Sequence, residues 1–130
     1  MLNIGDTLKI KERVDETMLA VCVGSGDLEV LATPSVIALM ENAAAALAKQ
    51  GLDEGFTTVG VKIDVAHTSP TPLGAEIEVK AQLKESDGRH FGFDVSAYDK
   101  NGLIAGGTHT RASVNAEKFQ KKADEKFNEV

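Results

Sequence analysis

Several residue types are scarce in this chain, and each scarcity excludes a class of protein. The 130 residues include one cysteine, one tyrosine and no tryptophan. A single cysteine, Cys22, excludes an intramolecular disulfide, so we expect a reducing compartment. Because Cys22 lies in the apolar run MLAVCV with no polar neighbour, we interpret it as a small core side chain rather than a nucleophile.

Positive charge and long apolar runs are scarce as well. The formal net charge is −6, and no basic stripe is present, so we expect no nucleic-acid partner. No segment reaches the ~20 apolar residues of a membrane-spanning helix. The N-terminus also lacks the basic start and long apolar run of a signal peptide. We therefore expect no membrane association and a cytoplasmic location.

Metal-binding patterns are missing too. The histidines His67, His90 and His109 lie on different segments, and none pairs with a cysteine or carboxylate at the spacing of metal ligands. The turn GSGD (24–27) lacks the lysine and the following helix of a phosphate-binding loop. We expect no metal ion at the functional site.

What the chain does contain is one very apolar helix in a single domain, 1–130. Its length and its 42% hydrophobic content fit one core, and no linker or repeat interrupts the chain. The stretch LATPSVIALMENAAAALAKQ (31–50) has helical periodicity. We expect Thr33 as N-cap, Pro34 at the first helical position and Gly51 as C-cap.

Most other segments have the period of β-strands. Stretches 7–13 and 17–23 read as extended, and four longer strands follow the helix. The first of the four predicts Val59, Val61, Ile63 and Val65 on one face and Gly60, Lys62 and Asp64 on the other. The last three are joined by the turns SDGR and DKNG. In two of these, apolar residues occupy alternate positions and are expected to face the core: Ile77, Val79, Ala81 and Leu83, then Phe91, Phe93, Val95 and Ala97. A one-sided antiparallel sheet must curl about so apolar a helix. An amphipathic helix of about residues 115–128, capped by Asn115, ends the chain.

Glu41 is the only acid in the apolar helix. With Val36 set at 0°, 100° per residue puts Glu41 at about 140°, which is about 110° from the centre of the apolar face and about 100° from the polar stripe. That position leaves two interpretations open. The carboxylate either reaches solvent or a lysine at the edge of the buried face, or it is a base or nucleophile in a partly dry pocket.

Two further polar residues favour the functional interpretation. His67 continues the inward strand series and immediately precedes TSPTPLG, where two prolines end the strand. A histidine there is also common as a satisfied core or strand-end residue. Thr33 adds a hydroxyl at the helix N-terminus, where the helix dipole and free N–H groups favour developing negative charge.

In the order of its strands and helices, and in the placement of these polar residues, the chain resembles the hotdog-fold acyl-CoA thioesterases, most closely the fluoroacetyl-CoA thioesterase-like group. The resemblance covers about residues 5–114. Its most specific parts are the spacing from Thr33 to Glu41, the run HTSPTPLG (67–74) and GGTHTR (106–111). It implies an α+β hotdog fold, in which an antiparallel sheet curls around a central apolar helix, with the C-terminal helix added.

The resemblance also implies an activity and a site. The activity is hydrolysis of a short- or medium-chain acyl-CoA thioester, with CoA as part of the substrate and no cofactor. The catalytic triad of the family falls on Thr33, Glu41 and His67, and its substrate-binding positions fall on Gly60 and Arg111. Members of the family are homodimers with CoA across the subunit interface. Association of two dimers into a tetramer stays open.

Helix geometry agrees with a site shared by two chains. Thr33 and Glu41 are separated by about 12 Å along the helix axis, so we do not expect them to contact the same acyl carbon within one chain. Bulky aromatic side chains are absent from GSGDLEV (24–30), so specificity for a fluorinated acyl group does not carry over. His109 shares a strand face with Arg111, where either a ligand contact or a structural role fits.

Two other functions remain as alternatives. One is a catalytically silent hotdog protein that binds an acyl-CoA or a small acyl or aromatic ligand. The other is a hydratase or dehydratase that uses Asp64 and His67. We rank it last, because Asp64 has the opposite strand parity from His67 and the acid in the helix would stay unexplained.

Overall fold

The computed structural model describes residues 2–128 and contains one five-stranded antiparallel sheet. The spatial order of its strands is β1-β3-β4-β5-β2, which leaves β1 and β2 as the two edges. The strands are β1 (Thr7–Arg13), β2 (Phe56–His67), β3 (Glu76–Ser86), β4 (His90–Asp99) and β5 (Gly102–Asn115). The helices are a 3₁₀ turn (Glu16–Met18), α1 (Ala20–Val23), α2 (Thr33–Lys49) and α3 (Ala116–Asp124).

The sheet wraps around α2, which contacts all five strands. The buried residues of α2 are Val36, Met40, Ala43, Ala44, Leu47 and Ala48. They pack on the inner residues of the two central hairpin strands, Ile77, Val79, Ala81 and Leu83 on β3 and Phe91, Phe93, Val95 and Ala97 on β4. The predicted alternation of β3 and β4 is confirmed. No helix within residues 2–128 is long and apolar enough to cross a membrane.

The predicted extended stretch 17–23 is wrong. Asp15 accepts the backbone N–H of Thr17 at 2.9 Å and caps a 3₁₀ turn, and α1 follows and ends at Gly24, whose φ is +79°. A uniformly apolar run does not distinguish a short helix from a strand, and the local cap decides the outcome. Cys22 is exposed rather than part of the core.

The ends of α2 and α3 differ slightly from the prediction. Ala32 is the N-cap of α2 and Thr33 its first helical residue, because the Thr33 hydroxyl bonds elsewhere. Gln50 is the C-cap, and Gly51 follows it. The last helix is confirmed but shorter than expected, with the Asn115 side chain accepting the N–H of Lys118 at 3.0 Å.

Strand β2 contains a β-bulge that reverses its side-chain alternation. Gly60 pairs with Arg111 while Lys62 pairs with Thr110, so Val61 is the extra residue. The predicted inward face is therefore wrong for the first half of the strand. Thr58 is buried and Gly60 faces α2, whereas Val61 is 60% exposed. Beyond the bulge, the half-buried Ile63, Val65 and His67 alternate with exposed neighbours, as predicted.

Candidate active site

Two clusters of polar side chains contact α2, one at its first residue and one at its middle. In the first, the Thr33 hydroxyl lies 2.8 Å from Nδ1 of His67, the last residue of β2. The other ring nitrogen, Nε2, is buried and has no hydrogen-bond partner within residues 2–128. A cavity of about 320 Å³ adjoins this pair. Its lining residues include Ser25, Leu31, Thr68 and Ser69.

The second cluster joins α2 to β2 and β5 through Glu41. Its Oε2 lies 3.6 Å from Nη1 of Arg111 and 4.0 Å from Nε2 of His109. Arg111 is buried, and Thr58 holds its guanidinium: Nε donates to the Thr58 hydroxyl at 2.8 Å and Nη2 to the Thr58 carbonyl at 3.0 Å. These two hydrogen bonds hold the Arg111 guanidinium in place beside the Glu41 carboxylate.

Gly60 provides the space in which this carboxylate lies. A Cβ atom built on Gly60 would be 2.6 Å from Glu41 Oε2, 3.3 Å from His109 Cε1 and 3.5 Å from Arg111 Nη1. Any side chain here would displace the carboxylate or the basic residues behind it. The sheet backbone thus approaches the Glu41 carboxylate directly.

The hydrogen bonds of His109 define its tautomer. Nδ1 lies 2.8 Å from the carbonyl oxygen of Lys62, which can only accept, so Nδ1 carries the proton. Nε2 then accepts from Nη1 of Arg111 at 3.1 Å. Burial lowers the pKa of His109, and the nearby Arg111 charge acts in the same direction, against the Lys62 carbonyl and Glu41. Burial also lowers the pKa of Arg111, opposed by Glu41.

Stability should consequently depend on the protonation of His109. Because its pKa is lowered in the folded state, the unfolded chain binds the proton first as the pH falls. We expect the free energy of unfolding to decrease as the pH drops below about 6.5, by at most about 1.4 kcal/mol per pH unit. Urea titrations between pH 7.5 and 5.5 measure this slope. His109→Gln should flatten it and the exposed His90→Gln should not, so equal slopes in both variants contradict the assignment.

Within one chain, the predicted site residues therefore form two groups. The structure brings Glu41, Gly60 and Arg111 together, and it pairs Thr33 with His67. The Glu41 side chain is 42% exposed, and its Oε2 lies 3.6 Å from the Arg111 guanidinium. It therefore reaches solvent at the edge of the buried face, and its cationic neighbour is an arginine rather than a lysine. Thr58 was not predicted, because the bulge that turns it inward leaves no mark in the sequence.

Comparison with known proteins identifies the relatives of this chain. Residues 14–117 match the family model described as fluoroacetyl-CoA-specific thioesterase (FlK). The chain belongs to this family. A curated relative, the fluoroacetyl-CoA thioesterase of Streptantibioticus cattleyicolor, is 39% identical over 98 residues, which are 75% of this chain and 70% of the relative.

Comparison with solved structures shows that the chain has a hotdog fold. A structure of the fluoroacetyl-CoA thioesterase FlK superposes with a TM-score of 0.91 at 30% identity, covering 97% of this chain and 98% of that chain. A hot-dog-like protein from Thermanaerovibrio acidaminovorans gives a TM-score of 0.88 at 22% identity, covering 99% and 96% of the two chains. The predicted α+β hotdog fold with an added C-terminal helix is confirmed.

Proposed function

We infer that the protein is an acyl-CoA thioesterase, which hydrolyses an acyl-CoA thioester to the free acid and CoA. The observation that carries this function is the family match over residues 14–117, supported by the 39% identity to a fluoroacetyl-CoA thioesterase. The acyl group that we propose is short or medium in length. Fluoroacyl specificity is not part of the proposal, because no aromatic residue occurs at 24–30.

Glu41 is the proposed catalytic carboxylate. It accepts a proton from water as the water oxygen attacks the thioester carbonyl, or it attacks that carbon itself to give an anhydride that water then cleaves. In both routes the carbon–sulfur bond breaks and the CoA thiolate leaves with the bonding electrons. The contact with Arg111 supports this role because it keeps the carboxylate oriented beside Gly60. Gly60 and Arg111 are then substrate-binding residues.

His67 and Thr33 are proposed to act on the thioester carbonyl and on the departing thiolate. His67 orients the thioester carbonyl or protonates the departing thiolate, and the 2.8 Å hydrogen bond between its Nδ1 and the Thr33 hydroxyl fixes its ring. The Thr33 hydroxyl and backbone N–H groups, that of Gly60 included, stabilise the negative charge that develops on the carbonyl oxygen. Nε2 of His67 has no hydrogen-bond partner within residues 2–128, and this supports the role, because a buried ring nitrogen is stabilised when a substrate atom supplies the missing partner.

We propose that each complete site forms between two copies of the chain. Along α2, Thr33 and Glu41 lie about 12 Å apart, too far for one acyl carbon. Strand β2 is a free edge of 12 residues, and such an edge accepts a second strand. If two β2 strands pair antiparallel about a two-fold axis near residues 63–64, His67 of one copy lies across from Gly60 of the other. A homodimer then holds two equivalent sites.

Mixing two inactive variants tests this arrangement. Glu41→Gln and His67→Ala are each expected to be inactive alone. Random re-association after mild denaturation should restore about a quarter of wild-type activity, because half of the dimers are mixed and each has one intact site. Mixing each variant with itself is the control. No recovery, with mixed dimers verified by mass spectrometry, contradicts a site shared between chains.

Release of free thiol from a panel of acyl-CoAs tests the function itself. We expect turnover of at least one short- or medium-chain acyl-CoA. The rival function, a silent acyl-CoA-binding protein, predicts binding by calorimetry with no thiol released from any member of the panel. That result would overturn the proposed hydrolysis.

A further inference from the structure

A cavity of about 480 Å³ lies apart from the two clusters, between α3, the end of β5 and the turn before β4. Its walls carry three basic side chains, Arg89, Lys118 and Lys122, and two phenylalanines, Phe56 and Phe119. The remaining lining residues are Gly88, Ser113, Val114 and Asn115. Of residues 2–128, no acidic residue lines it. The cavity thus combines local positive charge with aromatic surface.

The positive charge of this cavity is notable in a chain of net charge −6. Within residues 2–128, no carboxylate oxygen lies within 4.0 Å of a side-chain nitrogen of Arg89, Lys118 or Lys122. Three cations that converge without a counter-charge repel one another unless an anion joins them. An anionic ligand therefore fits this cavity.

The helix that forms one wall contributes nothing to the core. No residue of α3 is buried, and Lys118, Phe119 and Lys122 lie on one face of it by their spacing. Phe119 is 45% exposed and Phe56, across the cavity on β2, is 41% exposed. Flat apolar surface beside cations is suited to a ligand with a planar ring and phosphate groups.

The cavity and the candidate active site lie on the same pair of strands. Phe56 precedes Gly60 by four residues on β2, a separation of about 13 Å at ~3.3 Å per residue. Asn115, at the end of β5, pairs with Phe56, and Arg111 pairs with Gly60 on the same two strands. An extended ligand can follow these strands from the cavity to Glu41.

We propose that this cavity binds the 3′-phosphorylated ADP portion of the CoA substrate. Arg89, Lys118 and Lys122 contact the phosphates, and Phe56 and Phe119 contact the adenine ring. The pantetheine arm then extends along β2 and β5 and delivers the thioester to Glu41 and Gly60. The assignment rests on the proposed thioesterase function, and it explains why an acidic protein ends in a helix with a basic and aromatic face.

Kinetics with a full and a truncated substrate test the assignment. The double variant Lys118→Ala/Lys122→Ala should lower the ratio of kcat/KM for acyl-CoA to kcat/KM for the same acyl-pantetheine by about tenfold or more. Lys121→Ala on the same helix, a residue that does not line the cavity, is the matched control and should keep the wild-type ratio. A ratio within twofold of wild type in the double variant overturns the proposal.

Binding measurements separate this proposal from the function on which it rests. Calorimetry with adenosine 3′,5′-bisphosphate needs no turnover, and we expect at least tenfold weaker binding to the double variant. If the protein hydrolyses no thioester but binds the nucleotide through these lysines, the proposed function fails and the cavity assignment stands. If acyl-CoA is hydrolysed and the double substitution leaves the affinity for the nucleotide unchanged, only the cavity assignment fails. The assignment is also overturned if inorganic phosphate binds the cavity as tightly as adenosine 3′,5′-bisphosphate does, because that result indicates a general anion site.

Discussion

Replacement of Glu41 by glutamine is expected to lower kcat/KM for acyl-CoA hydrolysis by about 10²- to 10⁴-fold, the usual contribution of a positioned base. Glutamine has the size and shape of glutamate but can neither accept the proton nor attack the thioester carbonyl. Its amide oxygen can still lie beside the Arg111 guanidinium, so the geometry around Gly60 should persist. Thiol release under single-turnover conditions measures the loss in the chemical step.

The control for this substitution is Glu78→Gln. Glu78 lies on β3, 4.0 Å from Lys9, and both side chains are exposed to solvent, so its loss should change neither activity nor stability measurably. Thermal unfolding should also show Glu41→Gln close to wild type, because Thr58 and His109 still hold Arg111. Full activity in Glu41→Gln contradicts the catalytic assignment, and so does a loss explained entirely by unfolding.

Replacement of Gly107 by alanine is expected to destabilise the fold by about 3 kcal/mol or more, in the range reserved for severe packing defects. A Cβ atom built on Gly107 would overlap with the carbonyl oxygen of Asp64 and lie 2.8 Å from Cα of Val65. Both are backbone atoms of β2, the strand paired with β5 at this point, so no side-chain rotation relieves the clash. Urea unfolding gives the free energy directly.

The neighbouring glycine is the matched control. A Cβ atom on Gly106 would meet only the Val95 carbonyl oxygen at 3.7 Å and a Leu103 methyl group at 3.8 Å, which are ordinary contact distances. Gly106→Ala should therefore change stability by less than about 1 kcal/mol. Similar losses for both substitutions would argue against the close approach of β5 to β2 at Gly107.

Much of the architecture could be predicted from periodicity alone, because packing against one core imposes the period. The 3.6-residue pattern of 31–50 predicted α2, and the alternation of β3 and β4 predicted which side chains are buried. The prediction of an extended segment at 17–23 was wrong. Its apolar residues show neither the helical nor the strand period, and a single capping aspartate, Asp15, starts the helical turns. The wrong interpretation of Cys22 as a core side chain follows from the same error, because Cys22 is exposed.

The candidate site was predictable as a set of residues but not as an arrangement. The motifs that carry the family resemblance selected Thr33, Glu41, His67, Gly60 and Arg111. The contacts of Arg111 with Thr58 and His109 depend on the register between β2 and β5, which no local pattern encodes. The pairing of Thr33 with His67 likewise joins two segments that only the tertiary fold brings together.

The extra residue at Val61 has a consequence for the geometry of catalysis. Gly60 and His67 are an odd number of positions apart, so in a regular strand their Cα substituents would face opposite sides of the sheet. The bulge makes the interval effectively even, and both positions then face α2. Deleting Val61 would therefore be far more than a shortening of the strand. It would move one half of the proposed machinery to the outer surface and leave the other half inside.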